Sequence, residues 1–331
     1  MKKVINDPKN VVDEMLKGMT FAYPDHVKRV EGFDVIVRAN KKSSKVALVS
    51  GGGSGHEPSH AGFVGEGMLD AAVCGAVFTS PTPDQVFEAI KSVDAGSGVL
   101  LIIKNYTGDV MNFEMAMELA EAEGIEVDKV VIDDDVAVEN SLYTVGRRGI
   151  AGTIFLHKIA GAKAETGASL KEVKEVGEKV VKNVRSMGIA LSPCIVPEAG
   201  KPNFTLGENE MEIGMGIHGE PGVRRGELKP ADEITDILMD KILSDLSLNE
   251  NDEVCVLVNG LGATPLMELF VVNKRVHEIL EEKSIKIHKT LVGEYMTSIE
   301  MAGFSISVLK LDEELKSLFD AKADTVAFKQ F

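Results

Sequence analysis

Two kinds of hydrophobic pattern alternate along the chain. Short runs rich in β-branched residues predict buried strands at residues 45–50, 99–103, 130–133, 253–258 and 304–309. The longer stretches between them repeat apolar residues with the period of an α-helix. Strands that alternate with helices are typical of an α/β protein with largely parallel sheets. A further alternating stretch, EMEIGMGI (210–217), predicts a strand that ends in the loop sequence HGEPG.

Helix start signals support this pattern at three places. Residues 82–85 (TPDQ) form a potential capping box with proline at the first helical position. Ser169 and Glu172 have the spacing of a second capping box, and Thr264-Pro265 opens a third helical stretch.

The alternation falls into two blocks, separated near Gly188. We therefore expect two α/β domains, residues 1–187 and 188–331, each with a mainly parallel or mixed sheet flanked by helices.

Composition narrows the possible partners and the location. With 36 Lys and Arg against 52 Asp and Glu, the net charge of −16 argues against binding to nucleic acid or anionic membranes. The N-terminal sequence MKKVINDPKN lacks the apolar core of a signal peptide, and no run reaches the about 18 apolar residues of a membrane span. The three cysteines, Cys74, Cys194 and Cys255, lie far apart in apolar runs. They predict buried, reduced thiols and a cytoplasmic location.

The sequence GGGSGHEPSH (51–60) contains the letters of a zinc-protease motif, His-Glu-x-x-His. That chemistry needs both histidines on one helix, and Pro58 instead predicts a helix that begins near residue 58 and leaves His56 on the loop. We therefore expect no metal site. The two common nucleotide-binding glycine patterns also fail, because His56 and Glu57 stand where they need Gly and Lys. A strand, a glycine loop and a helix start could still expose backbone N–H groups to a ligand, and a plain turn is the alternative.

Other polar residues follow predicted strands. Lys104 and Asp109 come after strand 99–103, where Lys104 could be a surface residue and Asp109 could simply cap the next helix. The three aspartates at 133–135 lack the spacing of a calcium loop and suggest a solvated or interface acidic loop. His218 stands between glycines, where an imidazole could act as nucleophile or base. The other histidines fit structural or surface positions: His26, His60, His157, His277 and His288.

Taken together, nine segments in order along nearly the whole chain resemble the dihydroxyacetone kinases, and among them the K subunits. The matching segments are GGGSGHEP (51–58), FTSPTPDQ (78–85), LLIIKNYTGD (100–109), VVIDDDVAV (130–138), GRRGIAGT (146–153), AGKPNFTL (199–206), GIHGEPG (216–222), VNGLGATPLMEL (258–269) and MTSIEMAGFSISVLKLD (296–312).

The resemblance implies roles for particular residues. His218 would add to the ketone of dihydroxyacetone and hold it as a covalent hemiaminal, with Asp109 as the general base and His56 assisting. The substrate-binding residues would include these three together with Gly53, Ser54, Gly55 and Lys104, and the substrate hydroxyls would be bound by Gly53, Ser54, Gly55, His56, Lys104 and Asp109.

The resemblance also implies the partners. The chain ends about where the K module ends, without the helical nucleotide domain of the ATP-dependent members, so it would bind no cofactor itself. ADP or ATP and magnesium would sit on a separate L subunit, recharged from phosphoenolpyruvate through an M protein of the phosphotransferase system. The K subunit would be a homodimer.

Three alternatives remain open. Some K-like proteins are dihydroxyacetone-sensing transcriptional coactivators without kinase activity, although this chain keeps the YTGD and DDD segments. A Schiff-base enzyme that uses Lys104 is a second alternative, and a sugar-binding module without catalysis is a third.

Overall fold

The computed structural model describes residues 2–41, 44–140 and 144–331. The first part of the chain builds a six-stranded sheet, called the first sheet here, in the order β1-β2-β5-β3-β6-β7. The four strands β5, β3, β6 and β7 are parallel, and β2 and β1 extend them antiparallel. Its strands are β1 (Val27–Arg29), β2 (Val35–Arg38), β3 (Ala47–Ser54), β5 (Ala71–Val77), β6 (Val99–Lys104) and β7 (Val127–Ile132).

Helices cover both faces of this sheet because its strands are apolar on both sides. In β6, Leu101 packs with α2 and α3, whereas Leu100 and Ile102 point to the opposite face, toward α4 and α5. The helices are α1 (Val11–Ala22), α2 (Pro83–Val93), α3 (Thr107–Ala122), α4 (Thr153–Glu165) and α5 (Leu170–Asn183).

The second sheet has the order β10-β9-β8-β13-β11-β12, and only its β11–β12 pair is parallel. It consists of β8 (Val184–Ala190), β9 (Glu210–Ile213), β10 (Arg224–Glu227), β11 (Glu253–Gly260), β12 (Lys286–Gly293) and β13 (Gly303–Leu311). The remaining helices are α6 (Ala231–Asp245), α7 (Leu266–Glu282) and α8 (Glu313–Asp320). Helices α6 and α7 pack on one face of this sheet, while residues of the other face share a core with α4, α5 and the first sheet. The two sheets are thus joined by a continuous apolar layer.

The end of the chain returns to the first part. A small sheet in the order β15-β14-β4 pairs β14 (Ala323–Thr325) with both β15 (Lys329–Gln330) and β4 (Gly65–Glu66). Two short 3₁₀-helices, Pro8–Asn10 and Ala61–Phe63, complete the elements.

The α/β fold and all five of the strands predicted from β-branched runs are confirmed. The predicted capping box at Ser169 and Glu172 forms. The prediction of a capping box at 82–85 was wrong, because the side chain of Thr82 makes no capping hydrogen bond. The strand expected over 210–217 ends at Ile213. The predicted boundary at 187/188 falls inside β8, and the change from first to second sheet comes between α5 and β8.

The three cysteines are free and buried, as expected. Within the described ranges, no helix combines the length and the apolarity needed to cross a membrane.

Candidate active site

The glycine run of GGGSGHEPSH belongs to strand β3 and does not form a loop. Gly51, Gly52 and Gly53 pair with Val73, Cys74 and Gly75 of the neighbouring strand β5. A turn and the short 3₁₀-helix Ala61–Phe63 follow, so the helix predicted to begin near residue 58 was wrong.

The turn that replaces this helix is held by the second half of the chain. Two of its carbonyl oxygens accept backbone hydrogen bonds from that half. Ile299 N–H donates to Gly55 O at 2.8 Å, and Thr297 N–H donates to His56 O at 3.2 Å. The site therefore lacks the helix N-terminus that would favour phosphate at this position.

The glycines make room for site residues. A Cβ on Gly52 would lie 2.6 Å from Lys104 Nζ, and its φ of +152° also disfavours other residues. A Cβ on Gly53 would lie 2.5 Å from the backbone N of Thr79. Glycine is thus required at positions 52 and 53, because a buried lysine and the loop after β5 lie against the end of this strand.

His56 lies at the junction of the two halves of the chain. It is fully buried, its Nδ1 lies 2.7 Å from Thr297 O, and its ring stacks on Phe78 at 5.2 Å between centroids. Its Nε2 lies 3.1 Å from Nε2 of His218. Burial first, and then the charges of His218 and Lys104, lower the pKa of His56 well below 6.5. His56 is therefore a weak base that readily gives up a proton from Nε2.

His218 is oriented by a carboxylate two residues further along. Nδ1 of His218 lies 2.8 Å from Glu220 Oε1, and its backbone N–H donates to Oε2 at 2.9 Å. Burial would raise the pKa of Glu220, but the charge and hydrogen bond of His218, together with Arg148, lower it to about 2. Glu220 is thus an ionised acceptor for Nδ1–H, which leaves Nε2 of His218 as the reactive atom.

Sequence reasoning did not single out Glu220, although it lies in the quoted segment GIHGEPG. The signal that could have found it is a carboxylate two residues after a candidate nucleophilic histidine, since such a pair can fix the tautomer.

Lys104 and Asp109 form the opposite side of the site. Lys104 is 1% exposed, which rules out the surface alternative, and its Nζ lies 3.7 Å from Asp109 Oδ2 and 3.2 Å from Gly51 O. Burial lowers the pKa of Lys104, and the nearby Asp109 carboxylate opposes that shift. Asp109 accepts a hydrogen bond from Ser80 Oγ. The N-cap position of this helix is Tyr106, so the Asp109 carboxylate faces side chains of the site.

A cavity of about 490 Å³ connects the two sides. Its volume is within the usual range for a small-molecule site. It is lined by Gly53, Phe78, Thr79, Ser80, Tyr106, Gly108, Asp109, Asn112 and His218.

Of the predicted site residues, Gly53, Asp109 and His218 line this cavity directly. His56 and Lys104 lie behind them in contact with His218 and Asp109. Ser54 and Gly55 lie outside the lining. Ser54 Oγ donates to Gly75 O at 2.7 Å and Gly55 N donates to Glu57 at 3.1 Å.

Phe78, Ser80 and Tyr106 are site residues that sequence reasoning left unassigned. Phe78 adopts a left-handed φ of 58°, which is rare for a bulky residue, and packs on both histidines. The Tyr106 ring meets His218 edge-on at 4.7 Å. Both lie in segments already quoted for the resemblance, so motif membership was the available signal.

The aspartates at 133–135 are not a solvated acidic loop. Asp134 and Asp135 are fully buried, and only Asp133 is exposed. Asp134 accepts the backbone N–H groups of Ile150 and Gly152, each at 2.8 Å. Asp135 forms a buried ion pair with Arg148 at 2.7 Å. These backbone donors and this cation lie 13 to 18 positions away, which explains why spacing did not reveal them.

The two histidines of the protease-like motif point to different places. His56 meets His218, whereas His60 meets Lys104 at 2.8 Å and His157 at 3.0 Å. Among the residues that the structure describes, no group of three or more His, Cys, Asp or Glu side chains could hold a metal ion.

The fold and this cavity define an α/β protein with a small-molecule site, in which a histidine and a carboxylate of distant segments line one cavity. A Dak1 domain matches residues 17–327. The chain therefore belongs to the Dak1 family and is of the dihydroxyacetone kinase K-subunit type, as the resemblance indicated.

Three similar proteins illustrate this membership. The chain is 56% identical over 329 residues to the PTS-dependent dihydroxyacetone kinase 1, dihydroxyacetone-binding subunit DhaK, of Listeria innocua, covering 99% of this chain and 100% of that protein. The dihydroxyacetone kinase structure from C. freundii with AMP-PNP and Mg²⁺ is 33% identical with a TM-score of 0.91, and the match covers 99% of this chain but 61% of that one. A dihydroxyacetone kinase operon co-activator structure is 35% identical with a TM-score of 0.90, covering 96% of this chain and 98% of that one.

Proposed function

We propose that this chain is the dihydroxyacetone-binding subunit of a dihydroxyacetone kinase, and that it holds the ketone covalently on His218. The identity of 56% over the full length of a DhaK subunit supports the first part. The observation that carries the second is the contact of His218 Nδ1 with Glu220 at 2.8 Å, which occupies that nitrogen and makes Nε2 the nucleophile once the proton it shares with His56 lies on His56.

The hydrogen bonds of the histidine pair define its proton content. Nδ1 of His56 faces a carbonyl and Nδ1 of His218 faces a carboxylate, so both Nδ1 atoms carry hydrogen. The two Nε2 atoms are 3.1 Å apart, and one proton must lie between them because two lone pairs would repel. The pair thus holds one positive charge, which the Glu220 carboxylate balances.

This shared proton fits the addition of a ketone. As His218 Nε2 forms a bond to the C2 carbonyl carbon, the shared proton lies on His56 Nε2 and passes to the carbonyl oxygen. His56 ends neutral, and His218 becomes an N-substituted imidazolium beside Glu220, so the total charge is unchanged. The lowered pKa of His56 makes its protonated form a stronger acid toward that oxygen.

Covalent capture also gives selectivity. Glycerol differs from dihydroxyacetone by only two hydrogens, and a pocket discriminates weakly between molecules that similar. Because glycerol has no carbonyl carbon, it cannot form the adduct.

For phosphoryl transfer, Asp109 is the proposed general base. It lines the same cavity as His218 and can take the proton of the substrate's primary hydroxyl as that oxygen attacks phosphorus. Lys104 would stabilise the charge that develops there. We propose that an L subunit holding ADP or ATP with Mg²⁺ supplies the phosphoryl group, and that phosphoenolpyruvate recharges it through an M protein.

Mass spectrometry of the intact protein under gentle conditions tests the covalent site. Wild type with dihydroxyacetone should gain the mass of one molecule, glycerol should give no gain, and His218→Ala should lose the adduct. An adduct that persists in His218→Ala and is trapped on lysine by borohydride would instead support the Schiff-base alternative.

A coactivator role is the second candidate, because a co-activator structure matches this chain with a TM-score of 0.90. The position of Asp109 at the cavity favours the kinase. Turnover to dihydroxyacetone phosphate in the presence of L subunit, M protein and phosphoenolpyruvate would decide between them, and adduct formation without turnover would favour the coactivator or a binding module.

A further inference from the structure

A buried chain of three side chains runs away from the cavity behind Asp109. Nζ of Lys104 lies 2.8 Å from His60 Nε2, and His60 Nδ1 lies 3.0 Å from His157 Nε2. Nδ1 of His157 has no hydrogen-bond partner within the described ranges. The three side chains are 1%, 4% and 0% exposed, so water does not compete for these contacts.

The partners of Lys104 determine the direction of this chain. An ammonium has three donors and no acceptor, so each atom that Lys104 Nζ faces should be an acceptor. These atoms are Gly51 O, Asp109 Oδ2 and His60 Nε2, and the last is an acceptor only if His60 carries its hydrogen on Nδ1. His60 then carries its hydrogen on Nδ1 and donates to Nε2 of His157. His157 in turn carries its hydrogen on Nδ1.

Magnitudes favour this direction over the reverse. Either direction leaves Nδ1 of His157 unpaired, as a donor here and as an acceptor in the reverse, at a similar cost of about 1–3 kcal/mol. The reverse arrangement would place an N–H of His60 against the ammonium, losing a charge-assisted bond of about 1.5–3 kcal/mol and adding a contact between two donors. The pairing of Lys104 therefore prevails.

Because His60 is a neutral acceptor, Lys104 keeps its full positive charge beside Asp109. The titratable groups around Lys104 are Asp109, His56, His60 and His157. Burial first, and then the charge of Lys104, lower the pKa of His60 well below 6.5 and that of His157 to about 3. A carboxylate at position 60 would pair with Lys104 and compete with Asp109 for it. A neutral imidazole holds the ammonium in place without cancelling its charge.

We propose that His60 is a positioning residue that holds the Lys104 ammonium beside Asp109, and that His157 supports the required tautomer of His60 by accepting its Nδ1–H. This rests on the proposed kinase function. Among the residues that the structure describes, this chain ends at a buried atom without a partner, so it offers no route for protons to solvent.

Matched variants test the proposal. Gln can place its carbonyl oxygen where Nε2 of a histidine lies, so His60→Gln keeps an acceptor for Lys104 and His60→Leu removes it. We expect His60→Leu to keep the adduct on His218 but to lose kcat on the order of 10- to 100-fold. The basic limb of its kcat–pH profile should move to lower pH, because an ammonium without its acceptor loses its proton more readily. His60→Gln should restore most of the wild-type kcat and most of the wild-type position of this basic limb.

The same pair at position 157 tests the second part. His157→Leu should shift the pH profile in the same direction as His60→Leu but less, and His157→Gln should resemble wild type. His277→Gln is the control, since His277 Nε2 contacts Thr290 Oγ1 at 3.0 Å and lies outside the site. A purely structural role would lower the melting temperature of the Leu variants without moving the pH profile.

One measurement does not depend on activity or on a variant that folds. Imidazole ¹⁵N NMR of the wild-type protein should show His60 and His157 protonated on Nδ1 and unprotonated on Nε2. Protonation of His60 on Nε2, or equal behaviour of His60→Leu and His60→Gln in an active enzyme, would overturn this inference. A wild type that forms no adduct and transfers no phosphate would instead contradict the proposed function itself.

Discussion

At the scale of single residues, the site depends on which imidazole nitrogen carries hydrogen. A carbonyl fixes Nδ1–H in His56, and a carboxylate fixes it in His218. Both Nε2 atoms are thereby turned toward each other at 3.1 Å. Protonation states in this site are therefore set by partners that hold the rings, and changing a partner should have effects that can be measured as a function of pH.

Glu220→Gln should lower stability in a pH-dependent way. The folded pKa of about 2 lies below the usual 4.5, so the unfolded chain binds the proton first as the pH falls. The stabilisation is thus fully present above about pH 5 and is lost as the pH falls from 4.5 toward 2. At pH 7 the variant should be less stable by roughly 3 kcal/mol. Urea unfolding at pH 7 and near pH 3.5 measures this, with the exposed Glu250→Gln as control. A difference that does not narrow at low pH would contradict it.

Asp109→Asn should keep the adduct but reduce kcat by about 10²–10⁴, because an amide cannot take the hydroxyl proton. Steady-state rates with all partners and intact-protein mass spectrometry would separate the two steps. Asp84→Asn is the matched control, since Asp84 is an exposed acid in the first turn of the neighbouring helix α2. Normal turnover of Asp109→Asn would show that this carboxylate only supports its helix.

At the scale of elements, hydrophobic runs in the sequence predicted the five strands, but they did not predict that β3 continues through its glycines. Glycine is disfavoured in strands, so a run of three predicts a loop. The strand continues because these glycines pair with β5, and they are glycines because the close approach of Lys104 and Thr79 leaves no space for a Cβ there. That requirement comes from tertiary packing, which the local pattern does not contain. The buried aspartates 134 and 135 were missed for the same reason.

Gly52→Ala should therefore damage the site more than a typical glycine substitution. The new methyl would need to displace Lys104 Nζ from 2.6 Å, in a backbone conformation that disfavours alanine. We expect a loss of about 1–3 kcal/mol in the free energy of unfolding, together with reduced kcat. Gly18→Ala is the control: Gly18 lies in helix α1 with nothing within 4 Å of the added methyl, and it should gain about 0.5–1 kcal/mol. Denaturant unfolding and activity assays compare the two, and equal stability of Gly52→Ala and wild type would refute the argument.

At the scale of the whole molecule, the site exists only where the two halves of the chain meet. His56 comes from the first half, and both of its hydrogen-bond partners, Thr297 and His218, come from the second. Sequence spacing could nominate His56 and His218 separately, but it could not predict their contact, because 162 positions separate them. Only the resemblance to a known family placed them in one site before the structure did.

Asn259 holds the second half of this junction in shape. Its Oδ1 accepts the backbone N–H groups of Tyr295 and Met296, each at 2.9 Å, and its Nδ2 donates to Met296 O at 2.8 Å. The side chain is fully buried, so water cannot replace these bonds. The segment that it fixes leads directly to Thr297, whose carbonyl orients His56.

Asn259→Ala should therefore weaken both the fold and the chemistry at a distance from the cavity. Leaving buried backbone groups unpaired costs about 1–3 kcal/mol each, so we expect stability to fall by about 3 kcal/mol. Release of Thr297 would let His56 change tautomer, which should slow adduct formation on His218 even at temperatures where the variant is folded. Asn183→Ala is the control, because it removes a single side-chain bond, to Lys179 O at 2.8 Å. Thermal unfolding and time-resolved mass spectrometry would measure the two effects. A variant that is destabilised but acquires dihydroxyacetone at the wild-type rate would show that His56 keeps its orientation without this segment.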